Sequence, residues 1–540
     1  MMRQSDWKLV MENVWRDGQP KTRDDVKIGW WMRVMVFAVV GMILARMVFL
    51  QVVLGEQQVM VAEGNRLERV IVMADRGVIK DREDRILARN VDMDGEVVRE
   101  YPYGEVVAHV IGYVGEVGEE EVSQGLVLGS RSGKMGVERS EDERLRGEFG
   151  EELVEVDATG KRVDLIGKRE AVAGQLVKLN IDAELSKEIG RILAVREEEK
   201  GEYKGAVVVS RAGTGELLAL VSWPSFDNNL FSGLPGEGKY KKVEEVLGDG
   251  ERQPMFDRAV GGNYPPGSIY KLVTAVAGVE EGKVNSETSV IDEGEIKIDS
   301  YRYGNWYFDQ YGKTEGEIGL QRALARSNDI FFYKVGEWVG VEKLGEWSRK
   351  LGLGRRTGIG LEAEGTGRVP DPLWKEKLTG ERWFLGNTYH MAIGQGDLTV
   401  TPLQGNLMTA AVVSGKLCKP GLVVGEEGRC EDLSLSEVGR EMIVEGMVGA
   451  CSEGGTAASF FDFPVRVACK TGTAQQGGEE DDPHAWITAV VPAENSEGNR
   501  DDDYANGVVI TVLLEASGEG SAEAGPVATQ IARYIVEKGI

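Results

Sequence analysis

The sequence predicts an α+β protein with one N-terminal transmembrane helix, a β-rich domain and a larger domain in which helices pack on an antiparallel sheet. An apolar run near the N-terminus is long enough to cross a bilayer. Short strand and turn patterns rich in Gly, Val and charged residues follow, up to about residue 175. Beyond that point, helical patterns alternate with one early strand pair and three late strands, which is typical of helices on one sheet.

Length and charge limit the class of protein. A chain of 540 residues is too long for one ordinary core and predicts two or three domains. Its hydrophobic content of 42% and charged content of 28% are typical of a folded protein. The net charge of −26 argues against nucleic acid, or an anionic membrane surface, as the main partner.

The apolar run from Ile28 to Leu50 predicts an uncleaved membrane anchor. A helix of this length extends roughly 34 Å, enough to span a bilayer. Trp30 and Trp31 lie where an aromatic belt is expected, and no small-x-small cleavage pattern follows. Lys and Arg are frequent before the run and absent from 51–65. This asymmetry predicts a cytoplasmic tail at 1–27, an anchor at 28–54 and an exported remainder on the periplasmic or extracellular side of the cytoplasmic membrane.

Arg46 lies inside the apolar run. A charge there is costly and often marks a contact with a partner helix. Alternatively, Arg33 and Arg46 extend to opposite interfaces along their aliphatic stems.

The four cysteines gain interest from the predicted export, because disulfides persist outside the cytoplasm. Cys418 and Cys430 bracket a turn-rich loop and are either bonded or two free thiols. Cys451 falls in a helical pattern, and Cys469 precedes a Lys-Thr-Gly string. Histidines are few and no CxxC string occurs, so neither a metal site nor a cofactor is expected.

The region 55–175 is interpreted as a pedestal that holds the later domain away from the membrane. Its segment VIKDREDRILA predicts a hairpin with a turn built on Asp and Arg, and no candidate catalytic group clusters there. A larger domain, 176–540, follows. It opens with a helix capped by Asp182 and running to about Glu197.

Five strands predict the sheet of the larger domain. GAVVVSR and ELLALVSW form a hairpin through 213–215, and VRVACKTGT, HAWITAVV and GVVITVLLE come late in the chain. The closing segment PVATQIARYIVEK predicts a helix. The simplest assembly is one antiparallel sheet with helices packed on it.

Three short strings point to the chemistry: Ser268-Ile-Tyr-Lys271, Ser327-Asn-Asp329 and Lys470-Thr-Gly472. Each alone is weak, because a stretch from Ser5 repeats the first pattern and stretches from Ser140 and Ser225 repeat the second. Between Lys271 and Lys470, however, only Ser327 is followed two positions later by Asn or Asp. Lys-Thr-Gly occurs once. In this order, the strings describe a serine acyl-transfer site with lysine as its base.

Physical reasons support each role. Ser268 is expected in the first turn of a helix, where free N–H groups favour negative charge, and Lys271 shares its face. Lysine acts as a base only when burial or a neighbouring cation lowers its pKa, and Lys470 is the expected cation at a surface cleft. Ser327 is expected to relay the proton, and Asp329 to orient the lysines.

The last string is also expected to bind substrate. The backbone N–H groups of Ser268 and Thr473 are candidate oxyanion donors. The hydroxyls of Thr471 and Thr473, with Lys470, suit a substrate carboxylate, and Gly472 completes this candidate binding strand.

With these residues in place, the chain closely resembles the class B penicillin-binding proteins, membrane-anchored peptidoglycan D,D-transpeptidases. The resemblance covers nearly the whole chain and rests on RGVIKDREDRILARN, YPYGEVVAHVIGYVG, GKMGVERSEDERLRG, FDRAVGGNYPPGSIYK, AIGQGDLTVTPLQ, KTGTAQ and HAWITAVVP. Asp329, where Asn is commoner, resembles the elongation-type branch, penicillin-binding protein 2. The DREDR turn departs from the family by lacking Asn-Gly.

The resemblance implies a serine β-lactamase-like penicillin-binding domain, 176–540, behind a dimerisation-type pedestal. It implies that Ser268 is acylated by stem peptides ending in D-Ala-D-Ala, with release of D-alanine, and that an amine of a neighbouring stem completes the cross-link. β-Lactams would trap the same serine. A polytopic membrane glycosyltransferase is the expected partner. Only about 120 residues separate the anchor from the acyl-transfer domain, which leaves no room for the extra glycosyltransferase domain of class A relatives.

Two other readings stay open. Membrane-bound β-lactam sensors use the same fold, but usually with several spans and a cytoplasmic effector. A secreted β-lactamase or D,D-carboxypeptidase fits the three strings but not the retained anchor and pedestal.

Overall fold

The computed structural model describes residues 23–53, 66–157, 159–201, 203–426, 429–477, 481–494 and 502–540, with side chains from Trp30 onward. The helices are α1 (Arg23–Val48), α2 (Gly104–Ile111), α3 (Glu119–Ser123), α4 (Gly136–Ser140), α5 (Asp142–Arg146), α6 (Ala183–Lys200), α7 (Val243–Gly248), α8 (Lys271–Glu280), α9 (Trp306–Tyr311), α10 (Leu320–Ala325), α11 (Asp329–Val339), α12 (Val341–Lys350), α13 (Pro372–Thr379), α14 (Leu385–Ala392), α15 (Pro402–Ser414), α16 (Glu437–Cys451) and α17 (Ala524–Lys538). Single 3₁₀ turns occupy Asn228–Ser232, Gly267–Tyr270 and Ala458–Phe460, and a π turn, Phe49–Val53, extends α1.

The strands are β1 (Leu67–Val72), β2 (Ile79–Lys80), β3 (Ile86–Met93), β4 (Glu96–Glu100), β5 (Val114–Glu116), β6 (Arg131–Gly133), β7 (Gly150–Val156), β8 (Arg162–Arg169), β9 (Val177–Lys178), β10 (Gly205–Arg211), β11 (Leu217–Trp223), β12 (Ser289–Asp292), β13 (Glu295–Ile298), β14 (Tyr301–Gly304), β15 (Gly316–Gly319), β16 (Lys416–Cys418), β17 (Cys430–Asp432), β18 (Ala468–Ala474), β19 (His484–Val491) and β20 (Val508–Leu514).

The chain divides into two compact units. One comprises 1–72 and 149–171, and the other comprises 73–148 and 172–540. The first contains α1 and an antiparallel sheet of order β1-β7-β8. Within its described part, Trp30–Val53 is apolar enough to cross a membrane, with a mean hydropathy of 2.3. Residues 1–22 of the predicted tail and residue 54 of the predicted anchor lie outside the described residues.

The second unit is built on the sheet that the sequence predicts. Its order is β11-β10-β20-β19-β18, and every neighbouring pair is antiparallel. Side chains alternate between the two faces of a strand, so each face has its own core. Ile487 and Val512 pack with Ile531 of α17 on one face. Trp486 and Leu513 pack with the helical half of the unit on the other. This arrangement confirms the antiparallel sheet flanked by helices.

Local elements elsewhere in this unit also follow the sequence. Asp182 caps α6, accepting hydrogen bonds from the backbone N–H groups of Glu184 and Leu185. β2 and β3 form the predicted hairpin. Its turn places Asp84 at φ 63°, a left-handed conformation that glycine adopts more easily and that Asp tolerates better than most other residues.

Four cysteines form two disulfides. The Cys418–Cys430 bond joins β16 to β17, with Cα atoms 3.9 Å apart, and confirms the bonded alternative. The second bond, Cys451–Cys469, was not predicted; it joins the end of α16 to β18, one residue before Lys470.

Candidate active site

Ser268 lies in a 3₁₀ turn, Gly267–Tyr270, that leads directly into α8. Gly267 adopts φ 54°, and a Cβ on it would lie 2.6 Å from the Thr473 carbonyl oxygen. A Cβ on Gly394 would lie 2.0 Å from the Gly267 carbonyl oxygen, and the Gly267 N–H donates to the Gly394 carbonyl at 2.9 Å. The backbone around the serine is therefore packed against two other segments. The sequence correctly places Ser268 in a first helical turn, although the turn is 3₁₀.

The second string is anchored by a strained residue. Ser327 has φ 52°, a conformation that costs a non-glycine residue of order 1–3 kcal/mol. Its neighbour Asn328 caps α11, accepting a hydrogen bond from the Phe331 N–H at 2.9 Å. This geometry turns both the carbonyl and the hydroxyl of Ser327 toward Lys271.

The third string lies on β18, the outermost strand of the sheet. The Thr473 carbonyl accepts a hydrogen bond from the Gln395 side-chain amide at 3.0 Å, so it points away from β19. The N–H and C=O of one strand residue point to the same edge, so the Thr473 N–H faces this open edge too. Thr471 and Thr473 share one face of the strand, because side chains alternate.

Two lysines meet at the Ser327 hydroxyl. Lys271 Nζ donates to Ser327 Oγ at 3.3 Å, to the Ser327 carbonyl at 2.7 Å and to Asp329 Oδ1 at 2.7 Å. Lys470 Nζ donates to the same Oγ at 2.8 Å and to the Thr471 carbonyl at 2.9 Å. Both lysine side chains are fully buried. The prediction that Lys470 lies at a surface cleft is therefore wrong. Its ammonium group is enclosed by β18 and the second string.

Burial sets the charge of this pair. It lowers the pKa of Lys271, although the Asp329 carboxylate opposes the shift. It lowers the pKa of Lys470 well below its usual range, and the Lys271 charge adds to the effect. Two buried ammonium groups face one carboxylate, so the cluster is stabilised by losing a proton. Asp329 favours the charge on Lys271, hence Lys470 gives up its proton first in the free protein.

The structure brings Lys271, Ser327, Asp329 and Lys470 into contact, as the sequence predicts. The sequence also predicts that Lys271 can serve Ser268. In the described part of the chain, however, the hydrogen bonds of the Lys271 ammonium group go to Ser327 and Asp329 of the second string. Ser268 itself is partly exposed, in the turn that immediately precedes Lys271.

Three residues that the sequence reasoning missed brace the third string. The Thr471 hydroxyl donates to the Thr456 hydroxyl at 2.8 Å, and Gln395 holds the Thr473 carbonyl. The Gly520 N–H donates to the Thr473 hydroxyl at 3.3 Å, and a Cβ on Gly520 would lie 2.2 Å from the Gly472 carbonyl oxygen. Of these three residues, only Gln395 lies in a segment that the sequence had singled out. That segment, AIGQGDLTVTPLQ, resembles the class B penicillin-binding proteins.

The lysine pKa values predict how acylation depends on pH. A lysine base works in its neutral form, so the acylation rate of Ser268 should rise with pH and be lost as pH falls. Because burial lowers both lysine pKa values, the midpoint should lie below the ordinary value of 10.5. Acylation rates measured with a fluorescent penicillin from about pH 5 to about pH 10 would show this fall in rate on the acid side of the profile, the acid limb. Circular dichroism at each pH controls for unfolding, and a rate independent of pH in folded protein contradicts a lysine base.

Comparison with known proteins agrees with this geometry. The family model described as the penicillin-binding protein transpeptidase domain matches residues 205–537. The chain belongs to the penicillin-binding protein transpeptidase family. The penicillin-binding protein dimerisation domain also matches, at 89–179.

Individual relatives of this penicillin-binding protein include the peptidoglycan D,D-transpeptidase MrdA of Haemophilus influenzae, 33% identical, with 82% of this chain and 69% of the relative covered. The penicillin-binding protein PBP2 of Helicobacter pylori, solved in complex with MreC, has a TM-score of 0.75 and 25% identity, covering 88% of this chain and 99% of that one. A chain from a structure of a peptidoglycan synthase complex has a TM-score of 0.74 and 27% identity, covering 96% and 99%. This penicillin-binding protein thus groups with elongation-type class B enzymes, as its sequence indicated.

Proposed function

We propose that Ser268 is the nucleophile of this peptidoglycan D,D-transpeptidase and that Lys271 is its base. The observation that carries the proposal is the Ser327 hydroxyl, which lies within hydrogen-bond distance of both lysine ammonium groups. A hydroxyl in that place can accept a proton from one amine and pass another to the leaving group.

The proposed acylation begins with proton transfer from Ser268. Ser268 Oγ gives its proton to the Lys271 amine and attacks the carbonyl carbon of the penultimate D-alanine. The resulting oxyanion receives hydrogen bonds from the Ser268 and Thr473 N–H groups. When the peptide C–N bond breaks, the leaving nitrogen takes a proton through Ser327, and D-alanine departs. An amine of a second stem attacks the ester, loses its proton by the reverse route and restores Ser268.

The charge of the lysine pair supports a role for the substrate carboxylate. The stem peptide brings a negative charge to Thr471 and Thr473, on the strand that carries Lys470. An added carboxylate raises the pKa of a neighbouring ammonium group. The proton of the pair therefore moves to Lys470, and Lys271 becomes the neutral base when substrate binds. Thr471, Gly472 and Thr473 form the carboxylate and oxyanion wall.

We also propose a location and partners, which the sequence and the relatives support. We place α1 across the cytoplasmic membrane with the basic tail, 1–27, inside and everything after the anchor, 28–54, outside. The pedestal is 55–175 and the transpeptidase domain 176–540. We expect D-Ala-D-Ala stem peptides as substrates, β-lactams as inhibitors and a polytopic membrane glycosyltransferase as partner. The relative in the peptidoglycan synthase complex supports that partner.

Reconstitution separates the enzyme from its alternatives. The full chain in detergent or liposomes, given lipid-linked glycan polymer with pentapeptide stems and a partner polymerase, should form cross-linked muropeptides and release D-alanine. Released D-alanine without cross-links would indicate a D,D-carboxypeptidase. Penicillin adducts with no D-alanine from any stem peptide would favour the sensor and contradict the proposal.

A further inference from the structure

The segment between the first two strings contains a buried carboxylate, Asp292, that takes no part in the proposed acylation. Asp292 ends β12, where it pairs with Gly316 of β15, and only 2% of its surface is exposed. Asp292 Oδ1 accepts a hydrogen bond from the Gly294 N–H at 2.8 Å, and Oδ2 accepts one from the Glu315 N–H at 3.1 Å. In the described part of the chain, no lysine or arginine pairs with it. A buried carboxylate bound only to neutral donors is costly and usually has a reason.

Two asparagines are the other donors. The side-chain amides of Asn305 and Asn328 both donate to Asp292 Oδ2 at 2.8 Å. Asn328 lies inside the second string, between the strained Ser327 and Asp329. Its side-chain oxygen is already used to cap α11, so Asp292 takes its remaining polar group. Asp292 thereby fixes both torsions of the Asn328 side chain.

Asn305 extends the network to the residue that holds the base. Its side-chain oxygen accepts a hydrogen bond from the Asp329 N–H at 3.2 Å. The N–H of the next residue, Trp306, donates to Asp329 Oδ2 at 3.0 Å. The other oxygen, Oδ1, receives the Lys271 ammonium group. The orientation of Asp329 toward Lys271 therefore depends on where Asn305 and Trp306 are held.

The Asp292 carboxylate is also linked to Arg326, the residue before Ser327. Glu315, whose N–H binds Asp292, forms an ion pair with Arg326 at 2.6 Å. The Trp306 indole N–H donates to the Arg326 carbonyl at 2.9 Å, and the Arg326 guanidinium lies over the Tyr307 ring. Three parts of the segment between the first two strings thus converge on the second string around one buried acid.

We infer that Asp292 is a positioning residue of the active site. It does not touch substrate; it holds Asn328 and Asn305, and through them the left-handed Ser327 and the carboxylate that binds Lys271. The inference rests on the roles proposed for Ser327 and Asp329. It gives strands β12–β15 a function: they form the frame that positions the proton relay.

The test is Asp292→Ala in the full chain, with Asp227→Ala as the matched control. Asp227 is also 2% exposed, in the same compact unit, and also accepts two backbone hydrogen bonds, from the N–H groups of Asn229 and Glu237. We expect Asp292→Ala to slow acylation of Ser268 by about tenfold to a hundredfold, because small displacements of a relay cost that much. Asp227→Ala should change the rate less than about twofold, by the independence of separate sites.

The pH profile separates positioning from stability. Asp329 raises the pKa of Lys271, so a misplaced Asp329 should move the acid limb of the acylation profile to lower pH. A loss of folded protein lowers the rate at every pH and leaves the limb in place. A rate within about twofold of wild type, an unmoved limb, or an equal effect of Asp227→Ala would each overturn the inference.

Asn305→Ala covers the case in which Asp292→Ala does not fold. It keeps the carboxylate and removes its link to Asp329, so it should give the same shift of the acid limb. In the double variant, the two effects should not add, because both changes break one chain of contacts. Additive losses, or an unmoved limb in Asn305→Ala, would contradict the inference. If wild-type protein is not acylated at Ser268 in this assay, the proposed function fails first and the inference with it.

Discussion

Replacing Ser268 with alanine should abolish the penicillin adduct and the cross-linking activity together. Loss of the nucleophile of a serine acyl-transfer enzyme typically lowers the rate by at least about 10⁴-fold. Ser268 lies in the turn that leads into α8, and the backbone of that turn packs against Thr473 of β18. Intact-mass analysis after exposure to penicillin should show one adduct on wild type and none on Ser268→Ala.

The matched control is Ser225→Ala. Ser225 begins one of the stretches that repeat the second sequence pattern, and its hydroxyl instead donates to the Glu105 carbonyl at 2.6 Å. Its removal should leave the adduct intact. An adduct of undiminished yield on Ser268→Ala would show that the nucleophile is elsewhere.

The two lysines should be equally necessary for acylation but differ in their effect on stability. Lys271→Met and Lys470→Met should each slow acylation by about 10²–10⁴-fold, the range expected for a general base. Lys271→Met also leaves Asp329 buried without its partner, which costs about 3–5 kcal/mol of unfolding free energy. In the described chain, Lys470 has no carboxylate partner, so Lys470→Met replaces a buried amine with an apolar chain of similar length and should leave the melting temperature near that of wild type.

The double variant Lys271→Met/Asp329→Asn separates the two effects of Lys271. An asparagine fills the same space without a charge, so the melting temperature should recover while acylation does not. Thermal unfolding followed by circular dichroism, beside acylation rates, makes the comparison. If Lys470→Met destabilises the protein as much as Lys271→Met does, the single carboxylate does not set the charge of the pair.

Local patterns in the sequence predicted most of the catalytic unit. Short apolar runs between turn-rich segments located β10, β11, β19 and β20, and Asp182 marked the start of α6. Such signals are decided by neighbouring residues. Three ordered strings located the residues whose side chains meet at the Ser327 hydroxyl, since acyl transfer restricts the residue types that can serve. In these cases, segments of three to eight residues are enough to predict the structure or the residue types of the site.

Local patterns could not predict contacts between segments that are distant in the sequence. Cysteine spacing does not fix connectivity, so the Cys451–Cys469 bond required knowing that α16 ends beside β18. The burial of Lys470 depends on Ser327, which lies 143 residues earlier. Asp292 looks like an ordinary strand-end acid until its two asparagines are placed around it. Each of these features depends on tertiary packing rather than on local sequence.

The glycine backbone around Ser268 has a consequence for the selection of drug-resistant variants. A side chain on Gly267 or Gly394 would collide with carbonyl oxygens of neighbouring segments, and one on Gly520 would collide with the catalytic strand. Mutations there disrupt the cleft for stem peptide and antibiotic alike, so a cell that needs the cross-link gains nothing from them. We therefore expect substitutions that slow β-lactam acylation but keep cross-linking to fall at positions other than these three glycines.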